Sequence, residues 1–150
     1  MIKLINNLDP RQAQKMQKIF HASYAIEARL LNADVFPPLQ RTIKQYVDTD
    51  TAFYGYWIDK HLAAVVEIRT DEYTTHIQSL VVSPDYFRQG IAAKLMAFVL
   101  ENFPAEIVFV ETGVDNIPAI KLYEKCGFNH VEEWDTKIGI RKVKLIKKLT

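Results

Sequence analysis

The segment from Val82 to Ala92 could bind a phosphate group. It follows an apolar run and reads Val-Ser-Pro-Asp-Tyr-Phe-Arg-Gln-Gly-Ile-Ala, so a polar turn leads through Gly90 into an amphipathic helix. The first turn of a helix presents unpaired N–H groups and the positive end of the helix dipole, and a glycine there lets an anion approach closely. The same arrangement occurs in α/β proteins that bind nothing, so this segment alone leaves both interpretations open.

A second segment, from Asn116 to Phe128, also follows an apolar run and reads Asn-Ile-Pro-Ala-Ile-Lys-Leu-Tyr-Glu-Lys-Cys-Gly-Phe. The pattern Asn-x-x-Ala-x-x-Leu-Tyr-x-x-x-Gly-Phe, preceded by a strand, a turn and a helix with x-x-Gly-x-Ala, resembles the two motifs of the GNAT superfamily of acyl-CoA N-acyltransferases. The resemblance covers residues 75 to 130 well and the rest of the chain more loosely. It implies an acetyl-CoA-dependent N-acetyltransferase whose cosubstrate phosphates lie at a turn formed by Arg88, Gln89, Gly90, Ile91 and Ala92.

The first motif departs from the family at one position. GNAT proteins usually carry Gln or Arg three residues before the motif glycine, and here that residue is Phe87. A backbone cradle needs only N–H groups, and Arg88 or Gln89 could supply the missing side-chain donor. The departure mildly favours an alternative function, a non-catalytic relative that binds acetyl-CoA as a sensor and releases no CoA in response to an acceptor.

The resemblance further implies direct attack of an amine on the acetyl thioester. In GNAT proteins the two strands that correspond to residues 75 to 82 and 106 to 111 splay apart, and the acyl-CoA arm lies in the splay. A strand freed from its neighbour has unpaired N–H groups. We therefore expect the donor for the developing oxyanion at Leu80, Val81 or Val82, and the sequence does not choose among them.

Tyr123 is the predicted acid for the departing thiolate. A phenol with a pKa of about 10 is close in acidity to an alkyl thiol, so it can donate to sulfur without a strong pKa shift. Its helical spacing from Ala119 would equally place Tyr123 in the core, and the match to the family's tyrosine is what favours catalysis. By the same resemblance Asn116 and Ala119 contact the acyl-CoA arm, and Asn116 also reads as a helix cap.

The acceptor amine must lose a proton before it attacks, because its pKa is near 10.4. The candidate bases are Glu67, His76, Glu111 and Glu27. Deprotonation through water, with no dedicated base, is an alternative.

The sequence also predicts where two of these candidate bases, His76 and Glu27, lie in the fold. Strand alternation predicts that His76 shares one face with Gln78, Leu80 and Val82, although a histidine near a strand start equally reads as a surface residue. Glu27 interrupts an apolar helix stripe, which suits amine recognition provided that the helix continues past Ala25.

Bulk composition excludes several classes of protein. The 150 residues carry a net charge of +1, which favours neither a nucleic-acid partner nor an acidic tail. No apolar run approaches the ~18 residues of a membrane span, and the N-terminus lacks the apolar region of a signal peptide. The single Cys126 excludes an internal disulfide and reads as a packing residue, and no Cys/His spacing indicates a metal site. We expect one cytoplasmic domain over residues 1 to 150.

Periodicity and turn signals predict the element order β-α-α-β-β-β-α-β-α-β-β. The expected strands cover residues 2–5, 52–58, 62–69, 75–82, 107–110, 128–134 and 142–149. The expected helices cover residues 10–30, 39–47, 91 to a stop near Phe103-Pro104, and 116–125.

This order predicts a mixed α/β fold, with a mainly antiparallel central sheet, one splayed parallel strand pair and helices on both faces. It is also the GNAT order. In that superfamily the acceptor is set by the region between the first two helices and by the last hairpin, here residues 27–40 and 132–141, which carry no readable motif. The resemblance leaves a homodimer open. An unrelated α/β nucleotide-binding domain is disfavoured, because the loop has no second glycine and no suitably placed acidic residue.

Overall fold

A seven-stranded sheet runs through the computed structural model, which describes residues 1–103 and 105–149. Its strands are β1 (Ile2–Ile5), β2 (Ala52–Ile58), β3 (His61–Thr70), β4 (Thr74–Val82), β5 (Ile107–Gly113), β6 (Asn129–Asp135) and β7 (Arg141–Lys148). The helices of these residues are α1 (Pro10–Leu30), α2 (Ile43–Asp48), α3 (Ile91–Asn102) and α4 (Ile117–Lys125). The predicted order of elements is confirmed.

The strands lie in the order β1-β2-β3-β4-β5-β7-β6. Only β4 and β5 are parallel to each other, and every other neighbouring pair is antiparallel. The parallel pair requires a crossover, which α3 supplies between the two strands. The predicted fold class, a mixed and mainly antiparallel sheet, is confirmed.

Helix α1 has the predicted bounds because its first turn is capped locally. The Asp9 side chain accepts a hydrogen bond from the N–H of Arg11, and a proline occupies the first helical position. Met16 and Phe20 are fully buried and Ala28 is buried near the end of the helix, whereas Leu30 is 45% exposed. The buried face of the helix therefore reaches its last turn, and its final residue is exposed.

The second predicted helix is divided in the structure. A short 3₁₀ segment covers Pro37–Gln40, and α2 begins separately after Thr42. Thr42 and Gln45 form a reciprocal capping box, which satisfies the N–H groups at the start of α2 and fixes its first residue. Helix α3 ends at Asn102, close to the end predicted near Phe103-Pro104. Pro104 lies outside the described residues.

Helices cover both faces of the sheet, as predicted. On one face α3 and α4 bury a large cluster that includes Leu95, Val99 and Ile120. On the other face α1 and α2 bury a smaller cluster around Phe20 and Tyr46. Of the helices in the described part of the chain, none combines the length and apolar character needed to cross a bilayer.

Candidate active site

A gap opens between β4 and β5 near the middle of the sheet. The two strands are paired only from Thr74 opposite Ile107 to Ile77 opposite Val110. Both strands then continue, β4 to Val82 and β5 to Gly113, without pairing to each other. The splay predicted from the resemblance is confirmed, and residues 78–82 present a strand edge to the gap.

A β-bulge at Gln78 changes which side chains of β4 share a face. Glu67 of β3 lies opposite Ser79, but the next residue of β3 lies opposite Ile77, so Gln78 is an extra residue. His76 pairs with Arg69, which lies on the same face of β3 as Glu67. His76 and Ser79 therefore share one face. The prediction that His76 shares a face with Leu80 and Val82 is wrong, because the bulge interrupts the alternation on which it relied.

The hydrogen-bond pattern of β4 fixes the direction of its N–H groups. The N–H of Ser83 donates to the carbonyl of Ala63 at 2.8 Å. Alternate residues of an antiparallel strand face the same neighbour, so the N–H of Val81 also points at β3. The N–H groups of Leu80 and Val82 consequently point at the gap.

The turn before α3 has the backbone conformation of an anion cradle. Arg88 and Gly90 both have positive φ, +64° and +73°. Among the described residues, no acceptor is hydrogen-bonded to the backbone N–H groups of residues 88–92. These residues line a cavity of about 320 Å³ together with Leu80, Val82 and residues of α4. The arrangement offers several free donors at the positive end of a helix.

A substitution at Gly90 tests this cradle. A Cβ at Gly90 meets nothing within 4 Å in the fold, but it would project into the space that a bound phosphate needs. We expect Gly90→Val to weaken acetyl-CoA binding at least tenfold, about 1.4 kcal/mol, with the fold retained. Isothermal titration calorimetry on the folded variant measures the change.

Gly139 provides a matched control for that experiment. It has a φ of +80° and equally open surroundings, but it lies in the β6–β7 turn. Gly139→Val therefore imposes similar backbone strain away from the cradle, and its affinity for acetyl-CoA should match that of the unaltered chain. Equal affinities in both variants would remove the phosphate-binding interpretation of the turn.

Tyr123 faces the same cavity from α4. It is 5% exposed, its ring packs 6.0 Å from that of Phe128, and it lines the cavity with Leu80 and Val82. Burial raises the pKa of the Tyr123 phenol well above its usual value, and the nearby Glu27 and Cys126 add to the shift. The expectation from the sequence, that the pKa of the Tyr123 phenol lies close to that of a thiol, is therefore not met. The hydroxyl stays protonated at working pH and is available as a donor.

Asn116 joins the start of α4 to α1. Its side-chain oxygen accepts a hydrogen bond from the N–H of Ala119 at 3.4 Å, so the predicted helix cap is confirmed. Its side-chain nitrogen donates to Glu27 at 3.0 Å, and the Thr112 hydroxyl donates to the same oxygen at 3.4 Å. Burial raises the pKa of Glu27, although these two hydrogen bonds and the charge of Lys142 oppose the shift. Because α1 continues past Ala25, Glu27 is a helical residue.

A second, larger cavity of about 770 Å³ includes Glu27 and Glu111 in its lining. Its walls come from α1, from the segment between α1 and α2, from the splayed parts of β4 and β5, and from the turn between β6 and β7. Ser79 lines this cavity, and the next residue, Leu80, lines the cavity with the cradle. Neighbouring residues of the splayed strand therefore line the two cavities. No cluster of three or more potential metal ligands occurs among the described residues.

Glu67 lies at the base of the larger cavity and is fully buried. Arg41 donates to both carboxylate oxygens, at 2.8 and 2.9 Å, and the hydroxyls of Thr51 and Ser79 donate at 2.6 and 2.9 Å. Burial alone would raise the pKa of Glu67, but the Arg41 pair and the two hydroxyls outweigh it and hold the pKa below its usual value. Sequence reasoning missed Arg41 and Ser79, because neither lies in a motif.

His76 lies away from the chemistry that the sequence allowed it, and Cys126 lies where a packing residue was expected. The His76 ring stacks on Phe109 with centroids 4.2 Å apart, and His76 is not part of the lining of either cavity just described. Burial lowers the pKa of His76, with Glu111 opposing that shift. Cys126 is half-buried at the end of α4, and burial raises the pKa of its thiol, which disfavours a nucleophilic thiolate.

Comparison with known proteins assigns the family. Residues 14–128, most of the chain, match the Acetyltransferase (GNAT) family. The chain belongs to the GNAT family. It is 31% identical over 133 residues to the UPF0157 protein YqkA of Bacillus subtilis, a match that covers 88% of this chain and 39% of YqkA. It is also 32% identical over 117 residues to the [Ribosomal protein bS18]-alanine N-acetyltransferase of Escherichia coli K12, covering 72% of this chain and 73% of the relative.

The fold agrees with solved GNAT structures. The PaiA N-acetyltransferase of Thermoplasma acidophilum, solved in complex with coenzyme A, superposes with a TM-score of 0.74 at 14% identity and covers 99% of each chain. This GNAT chain spans less than half the length of several curated relatives that it matches, YqkA among them.

Proposed function

We propose that this GNAT chain transfers the acetyl group of acetyl-CoA directly to an amine. The observation that carries the proposal is that two neighbouring residues of the splayed strand line different cavities, Ser79 the larger one and Leu80 the one with the cradle. A thioester held in the cavity with the cradle and an amine held in the larger cavity would face each other across the gap. Because both reactants would be held side by side, the bimolecular reaction becomes effectively unimolecular, which lowers the barrier to attack.

The cradle cavity is the proposed site of acetyl-CoA. The free N–H groups of residues 88–92 would hold the pyrophosphate, and the arm would run along Leu80 and Val82 toward Tyr123. The Phe87 side chain is 43% exposed and has no group that donates a hydrogen bond. The side chains of Arg88 and Gln89, which do have donors, are exposed beside the cradle. A solved structure of similar fold contains coenzyme A, which supports acetyl-CoA as the cosubstrate.

In the proposed reaction the amine nitrogen attacks the thioester carbon, a C–N bond forms and the C–S bond breaks. The N–H groups of Leu80 and Val82 point at the gap, so one of them would stabilise the oxyanion. Tyr123 would donate its hydroxyl proton to the departing thiolate, and the resulting phenolate would take up a proton from solvent. The amine's own proton leaves to a base or to water.

Of the three carboxylates that line the larger cavity, we assign the acceptor's charge to Glu27 and its proton to Glu111. Glu27 would hold the acceptor ammonium, and Glu111 would take its proton, directly or through water. Glu67 is occupied by four hydrogen bonds, and the ring of His76 is stacked on Phe109. Neither suits proton abstraction in this geometry.

The first acceptor class that we propose is the α-amino group of a peptide. The Escherichia coli relative with the most even coverage is named for acetylation of an alanine of a ribosomal protein. The lining of the larger cavity also includes apolar side chains, among them Leu31, Phe36 and Ile138. An uncharged side chain next to a terminal ammonium would find apolar contacts there.

An acceptor panel tests the proposed function. Peptides with free N-termini, polyamines, aminoglycosides and free amino acids are each mixed with acetyl-CoA, and release of free CoA thiol is followed. Acceptor-dependent release with peptides supports the proposal. Binding of acetyl-CoA without release for any acceptor would instead identify the sensor.

The pKa of Glu27 gives the reaction a pH dependence. A cationic acceptor needs the ionised carboxylate, and burial raises the pKa of Glu27, so acceptor affinity should fall as the pH falls through that raised pKa. We expect the acceptor KM to rise on acidification in the unaltered chain. In Glu27→Gln the KM should be roughly tenfold higher and should lose this dependence, as measured by steady-state kinetics across pH.

Glu101→Gln is the matched control, because Glu101 is exposed on α3 and is not among the residues lining the larger cavity. Its KM profile should equal that of the unaltered chain. A Glu27→Gln variant with an unchanged profile would exclude Glu27 from acceptor binding.

A further inference from the structure

The buried carboxylate of Glu67 gathers donors from three separate parts of the chain. Arg41 lies between the 3₁₀ segment and α2, Thr51 lies just before β2, and Ser79 follows the bulge in β4. Each oxygen accepts two hydrogen bonds, one from Arg41 and one from a hydroxyl. A carboxylate offers about four acceptor positions, so those of Glu67 are filled.

Arg41 is held from several sides as well. Its guanidinium lies 4.3 Å from the centre of the Tyr46 ring, with the rings of Phe20 and Phe53 also within 6 Å. The side-chain nitrogen of Gln17, on α1, donates to the Arg41 carbonyl at 3.0 Å. Both the side chain and the backbone of Arg41 are therefore fixed to the body of the fold.

The chain leading to Arg41 forms a wall of the larger cavity. We call residues 32–40 the acceptor loop, and its members Phe36, Pro37, Pro38 and Gln40 line that cavity. Tyr24 supports the middle of the loop: its ring packs edge-on against that of Phe36, with centroids 5.7 Å apart, and its hydroxyl donates to Ser79 at 3.0 Å. The Glu67 cluster thus connects the loop to the edge of the splay.

We propose that Glu67 is a positioning residue, which through Arg41 fixes the acceptor loop and so shapes the site for the acceptor. The bidentate pair holds the end of the loop, and the Ser79 contact holds the residue beside the gap, so a single carboxylate sets the width of the cavity. An extended acceptor, which touches the loop, depends on this width. A minimal amine, which reaches only the gap, depends on it much less.

The test removes both charges together, because removing one alone would leave a charge buried. In the double variant Arg41→Met, Glu67→Met we expect the KM for a peptide acceptor to rise at least tenfold. The kcat and the acetyl-CoA dissociation constant should stay within about threefold of the unaltered chain. The KM for a minimal amine such as a short alkylamine should also stay within threefold. A peptide KM that does not change overturns the proposal.

The pair Lys44 and Asp48 provides the matched control. It is a solvent-exposed ion pair on α2, a few residues beyond Arg41. The double variant Lys44→Met, Asp48→Met removes two charges from the same neighbourhood without touching the acceptor loop. Its KM for the peptide should equal that of the unaltered chain, and an equal rise in both double variants would overturn the specific role of Arg41 and Glu67.

A separate variant distinguishes positioning from proton abstraction. Arg41→Met, Glu67→Gln, which again leaves no charge of the pair behind, should raise the peptide KM and leave unchanged both kcat and the acidic side of the kcat pH profile. A kcat reduced about 100-fold, with the acidic limb lost and KM unchanged, would identify Glu67 as the base and overturn the proposal.

The kinetic measurements rest on the proposed function, so a readout independent of activity accompanies them. Amide hydrogen exchange should quicken at least tenfold in the acceptor loop of the Arg41→Met, Glu67→Met variant and stay unchanged in α3. Unchanged exchange in the loop overturns the positioning role even in a chain that transfers no acetyl group. Quickened exchange without any turnover would retain that role and reject the proposed function instead.

Discussion

Tyr123→Phe should lower kcat roughly 100-fold and leave the acetyl-CoA dissociation constant nearly unchanged. The change removes one hydroxyl and keeps the ring, which packs against Phe128 in the core. The hydroxyl acts on a thiolate that exists only late in the reaction, and a positioned proton donor usually contributes between about 10²- and 10⁴-fold. Single-turnover acetyl transfer to the acceptor found in the panel measures this loss.

Tyr54→Phe is the matched control, since Tyr54 packs among Phe98 and Phe103 in the same core cluster and is not part of the lining of either cavity described above. It should leave kcat unaltered. A loss below about threefold in Tyr123→Phe would return this residue to a packing role and leave solvent as the proton donor. Thermal unfolding of both variants shows whether the hydroxyl also supports the fold.

Arg41→Met should lower the free energy of unfolding by about 3–5 kcal/mol. Removing one partner of a buried ion pair leaves the other charge without compensation, and Glu67 is fully buried. The double variant Arg41→Met, Glu67→Met should recover most of that loss, because replacing both partners by apolar groups of similar size is often close to neutral. Urea unfolding at neutral pH, with a common m-value, gives the comparison.

The same loss should depend on pH in a defined direction. The folded chain holds the pKa of Glu67 below its usual value, so this carboxylate contributes stability above its unfolded pKa of about 4.3. That contribution disappears as the pH falls through the lowered folded value. The difference between the unaltered chain and Arg41→Met should therefore shrink in acid. A difference that stays constant down to about pH 2 would contradict an ion-pair origin.

Local signals in the sequence were sufficient to predict most of the helices and strands. Asp9 followed by a proline specified the start of α1, and Asn116 specified the start of α4, because caps act on N–H groups two or three residues away. The glycine turn at Gly90 was predictable for the same reason, since only a positive φ joins β4 to α3 there. The family motifs then related these elements to one another.

The acceptor side could not be predicted in this way. Glu67 appeared in the sequence as one of four candidate bases, and nothing near it indicates Arg41, which lies 26 residues earlier in the chain. The division of the second helix was also missed, because the capping box at Thr42 competes with a continuous apolar pattern. A contact between distant segments decides the pairing of Glu67 with Arg41, and strand or helix periodicity carries no information about it.

The sequence by itself determined the element order, the glycine turn before α3 and the family of this protein, because each depends on residues that are close in the chain. Only the tertiary structure decided which groups face the reaction. The bulge at Gln78 exists only when β4 pairs with β3, and it reverses the side-chain alternation beyond it, so that His76 and Leu80 lie on opposite faces. The same pairing directs the N–H groups of Leu80 and Val82 into the gap, since an N–H direction is fixed by the neighbouring strand and not by the residue that carries it.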